Sequence, residues 1–381
     1  MFTEKEFRSH IDNYVQNRVI PQQTWVSKEE IMDRGIVLYG CAVMGKYVCD
    51  ALQEAGIYPA YFVDKKSGTE ASYHGVPIRG LESLSETNGR YVLLCSTHIQ
   101  QMIQTCQQYG VSDWILAAAI RDLVWLPGDF GITSQLDHVP QGLAEGFHLF
   151  ADDKSRRIYD LYFGWHYLYN NDFTAVRDPI MYFPEDLSEE GIDYSHFCDA
   201  GAWHGDVLAE WLAKFADKQD YHYTAIEPDK ISYQKLVDYV NKLPVNEFLL
   251  PKRISTINGA VGEKSGIIKM SNDTGAGTTR VLGNEVTGAV AVPVFTIDEI
   301  FKDKAVSIIK ADVEGYEMPL LRGALKTIKK QRPTLAISVY HKFADIWEIP
   351  QYVKSLDLDY EIYLRHFPNV FTDTVMFAIA K

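Results

Sequence analysis

The chain has 381 residues, 46% hydrophobic and 23% charged, with 51 acidic against 37 basic side chains and a net charge of −14. That length exceeds one ordinary core and predicts about two domains. The acidic balance excludes a nucleic-acid partner, which needs a basic face, and weakens attraction to anionic membranes. No run approaches the roughly 18 apolar residues that span a bilayer. Residues 1–10 lack the apolar core of a signal peptide. Five cysteines (Cys41, Cys49, Cys95, Cys106 and Cys198) form no Cys-x-x-Cys pair. Buried reduced thiols and a cytoplasmic location are therefore expected, and a homo-oligomer is left open.

In chain order, the first thirty residues are polar and read as helical. Ile36-Val37-Leu38-Tyr39 then reads as a buried strand, followed by a turn with Gly40 and Gly45 and an amphipathic stretch to Ala55. Strands at 60–63, ending in Asp64, at 91–95 and at 114–116, with a helical run at 100–109, complete an alternation that predicts a parallel, doubly wound sheet over residues 1–119. Residues 120–193 are less regular, with an aromatic-rich helical stretch at 155–169, and are expected to connect the domains and pack on the second. A second α/β domain is predicted over 194–381, with strands at 195–199, 223–227, 254–258, 306–310, 334–340, 361–366 and 375–380. A short turn near Pro368-Asn369 makes the last two an antiparallel hairpin at the sheet edge.

In open α/β sheets, ligands sit outside the carboxyl ends of the strands, so the residues there carry the argument. The first such turn is Asp199-Ala200-Gly201-Ala202-Trp203-His204-Gly205-Asp206. A dinucleotide fingerprint would set a middle glycine against a pyrophosphate. Here Trp203 and His204 crowd the turn, and Asp199 and Asp206 add charge that repels a diphosphate. A sulfonium cofactor is cationic, has no phosphate and suits the turn. Glu227 follows Asp199 by 28 residues, room for one crossover helix, and ends the next strand where a ribose can be held. Asn258-Gly259-Ala260-Val261 ends the third strand, where an adenine edge could lie. Asp312 and Glu314 follow a buried strand and precede a helix, a position that N-capping alone would also explain. Packing would equally account for Trp203 and His204. In the N-terminal part, Gly40 to Gly45 is an imperfect Gly-x-Gly-x-x-Gly with Ala42 in the middle place, and Asp64 follows Gly40 by 24 residues. Gly40, Gly45 and Asp64 are thus a candidate second nucleotide site, with a structural or dimerising role as the alternative.

The run Lys310-Ala311-Asp312-Val313-Glu314-Gly315-Tyr316-Glu317 resembles the FkbM family of S-adenosylmethionine-dependent methyltransferases. The resemblance extends to 292–299, 320–324 and 333–337 and covers roughly residues 197–381. It implies a class I methyltransferase sheet of seven strands, the C-terminal one of two Rossmann-like α/β domains. It also implies S-adenosylmethionine as cofactor and methyl transfer to oxygen, on a hydroxyl of a sugar, glycoconjugate or secondary-metabolite precursor. The acceptor is then a small molecule. By the same resemblance Asp199, Gly201 and Gly205 line the methionine part, Glu227 binds the ribose, and Asn258, Gly259 and Ala260 lie by the adenine. Asp206 joins this cofactor set, and Asp312 stands near the methionine amine and the acceptor. His341, at the end of a strand, is the expected general base, with Asp312 and Glu314 beside the chemistry. The family's strand often ends in Glu-x-His-His. Ser338 takes its acidic place here, so no metal is expected. The alternative is a nicotinamide-dependent oxidoreductase that uses the N-terminal turn.

Overall fold

The computed structural model of the chain describes residues 2–17, 26–65, 71–96, 98–116, 141–168, 173–218, 220–243, 253–270, 290–367 and 373–381. They fall into two compact units: residues 3–140 with 160–172, and residues 1–2 with 141–159 and 173–381. The stretch 120–193, expected to be one connector, is shared between them.

The first unit holds a six-stranded sheet ordered β3-β4-β2-β1-β5-β6. Its strands are β1 (Ile36–Tyr39), β2 (Phe62–Val63), β3 (Ser72–Tyr73), β4 (Val76–Arg79), β5 (Tyr91–Leu94) and β6 (Trp114–Leu116). All neighbours pair in parallel except β3 with β4. β1 is buried along its whole length, as an apolar strand covered on both faces must be. Strands β3 and β4 were not foreseen, because short, partly exposed segments carry no apolar run. Asp64, just after β2, accepts a hydrogen bond from the Cys41 N–H at 2.7 Å and so clamps the turn between β1 and the helix Val43–Glu54. The expected N-terminal helix is two helices, Glu4–Gln16 and Lys28–Arg34, each started by a capping box.

The second unit is a mixed α/β fold on a seven-stranded sheet ordered β15-β16-β14-β13-β7-β8-β9. These strands are β7 (His196–Ala200), β8 (His222–Glu227), β9 (Ile254–Asn258), β13 (Ile308–Ala311), β14 (Thr334–Ser338), β15 (Tyr360–His366) and β16 (Thr374–Ala380). β16 runs antiparallel to both β14 and β15, and the other pairings are parallel. The turn at Pro368-Asn369 lies outside the described residues. Helices Asp206–Phe215 and Lys230–Lys242 press Leu208, Trp211 and Leu236 onto Phe197 and Tyr223 of the sheet. Each such fully buried side chain stabilises the fold by roughly 1.5–3 kcal/mol.

Two features outside the main sheet shape the site. A small sheet ordered β10-β12-β11, made of β10 (Ala260–Val261), β11 (Gly266–Met270) and β12 (Val290–Phe295), was not anticipated. Secondly, Arg365 on β15, with its side chain only 2% exposed, donates to Asp152 at 2.7 Å and to Asp186 at 3.0 Å. Lys154 bridges Asp178 and Asp186 at 2.8 and 3.0 Å. These ion pairs tie the segment around Tyr182 to the sheet edge.

Candidate active site

The strand order reverses at the junction of β7 and β13, the point where open sheets leave a crevice. There the carboxyl ends of the strands open onto a cavity of about 750 Å³. β7 runs into Gly201, whose φ is +80°. A Cβ at that position would lie 1.8 Å from the carbonyl oxygen of Asp312, so only glycine lets the two strand ends meet. Trp203 follows, also with positive φ, and its indole is 39% exposed at the cavity wall, stacked on His204 at 4.0 Å.

Glu227 closes β8 as a buried cavity residue. Its two carboxylate oxygens accept from the N–H groups of Trp203 and Asp229, each at 2.8 Å. Burial pushes its pKa up to about 7, and those two N–H donors keep it from rising further. Each oxygen retains a lone pair for a ligand hydroxyl. Asn258 spends its side-chain amide on the carbonyls of Glu227 and Pro228, at 2.9 and 3.3 Å. Gly259, Ala260 and Val261 follow it along the cavity wall.

A chain of buried charges runs beneath the floor. Lys310 lies opposite Asp199 in the β13–β7 register, and their side chains meet at 2.8 Å with exposures of 3% and 0%. Tyr223 donates to the other oxygen of Asp199 at 2.5 Å, and Lys310 also donates to the Gly201 carbonyl at 2.6 Å. Asp312 faces the cavity and accepts from Tyr182 at 2.9 Å and Tyr340 at 3.1 Å. Burial works to raise its pKa, but His341, Lys310 and the two phenols outweigh burial and hold it below the usual carboxylate range. Tyr182 also hydrogen-bonds Ser338 at 3.1 Å and adopts φ +66°, a strained conformation for a bulky residue.

His341 is nearly buried. Its Nε2 lies 3.4 Å from Asp312 and 3.7 Å from Glu314, and its Nδ1 lies 2.8 Å from Glu317. Burial opposes the imidazolium, yet the three carboxylates win, and its pKa is pushed up to about 10.

Several expectations are sharpened by this geometry. Gly201, Asp206, Glu227, Gly259, Ala260, Asp312 and Glu314 all line one cavity. Asp199 does not: it is wholly buried, and it acts on the site through Lys310. Gly205 sits behind the wall against Leu236 and Tyr239, where it starts the helix Asp206–Phe215. The amide of Asn258, expected at an adenine edge, instead fixes the loop after β8. For His341, the expected general base, the three carboxylates around the ring favour the imidazolium, which works against a role as proton acceptor. Gly40 and Asp64 belong to the other unit, where Asp64 closes its own turn.

Sequence reading missed Tyr182, Tyr340, Lys310 and Glu317. Lys310 had a readable signal, a lysine inside an apolar strand. Tyr182 had none, since its partner Asp312 is 130 residues away.

The model of the FkbM methyltransferase domain matches residues 199–363. Among solved structures, the methyltransferase FkbM from Methylobacillus flagellatus KT is similar with a TM-score of 0.68 and 23% identity, covering 98% of each chain. A putative rRNA methylase from Clostridium thermocellum gives a TM-score of 0.33 at 8% identity, over 50% of this chain and 89% of its own. The SAH-bound methyltransferase of Podospora anserina gives 0.30 at 10%, over 64% of this chain and 89% of its own. No curated protein matches the chain significantly. The domain match spans the strand ends that build the cavity, so residues 199–363 are similar to the FkbM methyltransferase domain, and the fold is shared along nearly the whole chain.

Proposed function

We propose that the protein transfers a methyl group from S-adenosylmethionine to an oxygen of a sugar-type small molecule. The observation that carries the reading is the charge of the cavity wall. Asp206, Glu210, Glu227, Asp312, Glu314 and Asp373 line it, against Lys310, whose ammonium is already engaged by Asp199. Such a wall favours a cationic guest and disfavours a diphosphate. The donor set fits the cofactor: Glu227 keeps lone pairs for ribose hydroxyls, and the backbone of Gly201 and Gly259 can be approached closely. The apolar side chains of Val261, Ile268 and Met270 add a surface for an adenine.

When bound, the cofactor supplies an electrophilic methyl on a positive sulfur. The chain's residues then position and exclude water, which is most of what an in-line transfer needs. Asp312, kept ionised and fixed by Tyr182 and Tyr340, is the acceptor for a hydrogen bond from the substrate hydroxyl, whose proton leaves to solvent as the oxygen is methylated. Pro179, Ile180 and Met181 form an apolar side of the cavity where a sugar face can rest. The oxygen and sugar parts of this proposal rest on the family. In the same proposal the two units are two Rossmann-like domains, and the turn Gly40–Gly45 with Asp64 is a second nucleotide site.

Calorimetry with S-adenosylhomocysteine tests the reading. Wild-type protein should bind one molecule per chain, and Glu227→Ala should weaken binding by tenfold or more, about 1.4 kcal/mol. Absence of binding to folded wild-type protein would end the proposal. A heat with nucleotide sugars that disappears in Asp64→Ala would support the role of the N-terminal turn.

A further inference from the structure

The ring of His341 has two unlike sides. Behind Nδ1 stands Glu317, completely buried, whose Oε1 also accepts from the Val313 N–H at 3.0 Å and whose Oε2 is buried with no hydrogen-bond partner. In front of Nε2 stand the cavity-lining carboxylates of Asp312 and Glu314, at 3.4 and 3.7 Å. Three carboxylates thus converge on one imidazole, with atoms of Asp312, Glu317 and His341 all within 4.8 Å of one another. Glu317 is buried and Asp312 and Glu314 are only 23% exposed, so three carboxylates crowd a largely dry corner where a cation would be favoured.

We propose that His341 Nε2, Asp312 and Glu314 bind a divalent cation of the Mg²⁺ or Mn²⁺ class at the edge of the cavity, with Glu317 as the carboxylate that orients the histidine. A histidine that ligates a metal through one nitrogen characteristically presents the other to a carboxylate, which fixes the tautomer and the ring plane. Ligand atoms about 2.1 Å from a common ion lie about 3.0–3.4 Å apart, and Nε2 stands 3.4 Å from Asp312 and 3.7 Å from Glu314, so small side-chain shifts bring each carboxylate into range of an ion it shares with the ring. Two carboxylates and one imidazole, with no thiolate nearby, form a hard donor set. The inference runs against the expectation drawn from Ser338, because the carboxylates come from the β13 end rather than from β14. It deepens, and rests on, the methyl-transfer reading of this cavity. An ion there would stand beside the acceptor and lower the pKa of a coordinated hydroxyl, the proton passing to solvent.

The experiment is a Mn²⁺ titration of full-length, chelator-treated protein, followed by the loss of the free-ion electron paramagnetic signal, with Mg²⁺ as competitor. One Mn²⁺ should bind per chain, displaced by Mg²⁺. Glu314→Gln, on a half-buried loop, should weaken it tenfold or more, and His341→Gln should do the same. The surface change Asp303→Asn should have no effect. Circular dichroism confirms the fold of each variant, and Glu314→Gln alone suffices should the buried His341 variant unfold. No Mn²⁺ binding at millimolar ion, or binding indifferent to Glu314→Gln, overturns the inference. S-adenosylhomocysteine calorimetry in chelator separates the two readings: cofactor binding without Mn²⁺ binding sinks the ion site alone, whereas Mn²⁺ binding without cofactor binding sinks the methyltransferase assignment of the cavity.

Discussion

At Glu227 a carboxylate is buried where the proposed cofactor needs an anion, and its pKa near 7 makes the site sensitive to pH. Below that value the carboxyl is neutral and loses acceptor strength toward ribose hydroxyls. Affinity for S-adenosylhomocysteine should therefore fall by up to about tenfold per unit as pH drops below 7, and Glu227→Gln should flatten the profile. Calorimetry across pH 5.5 to 8.5 reads both. The same shift has a stability sign. Because the folded pKa lies above the ordinary glutamate value of 4.5, the native state holds a proton that the unfolded state has lost, so this group costs stability as pH rises from 4.5 towards 7. Glu227→Gln should accordingly raise the melting temperature more at pH 8 than at pH 5. Gly201 offers a second residue-scale prediction. With φ at +80° and a backbone oxygen 1.8 Å from any Cβ, Gly201→Ala should cost more than about 2 kcal/mol in denaturant unfolding.

Between elements, the pairing of β7 with β13 places Lys310 against Asp199 with almost no water. Removing one partner strands the other charge in the core. Lys310→Met should lower unfolding free energy by about 3–5 kcal/mol, and adding Asp199→Asn should recover a large part of it. Chemical denaturation of the two singles and the double measures the coupling, and strictly additive losses would refute it. The strands of the seven-stranded sheet were legible to within two or three residues, because long apolar runs between turn residues are a local signal. The small β10-β12-β11 sheet was not, as its strands are partly exposed and pair across distant sequence. The surroundings of His341 were not legible for a related reason. A strand-end histidine is visible in sequence, whereas the three carboxylates that hold its proton come together only when β13 and β14 pair.

For the whole molecule, a net charge of −14 and an acidic cavity wall point the same way. Nicotinamide dinucleotides and nucleoside diphosphates should fail to displace S-adenosylhomocysteine in competition calorimetry, since their phosphates would meet Asp206 and Glu210. Effective displacement would revive the oxidoreductase alternative. No helix among the described residues is long and apolar enough to cross a membrane.

The sequence by itself determined the alternation of strands and helices, the acid-rich strand ends and the resemblance to a methyltransferase domain, because each is written in short contiguous runs. Only the tertiary structure decided which of those acids face a ligand, which are locked in ion pairs and whether a histidine can accept a proton. Those outcomes depend on burial and on neighbours such as Tyr182 that the chain brings back from far away, and burial and charge set a side chain's chemistry more than its position along the chain does.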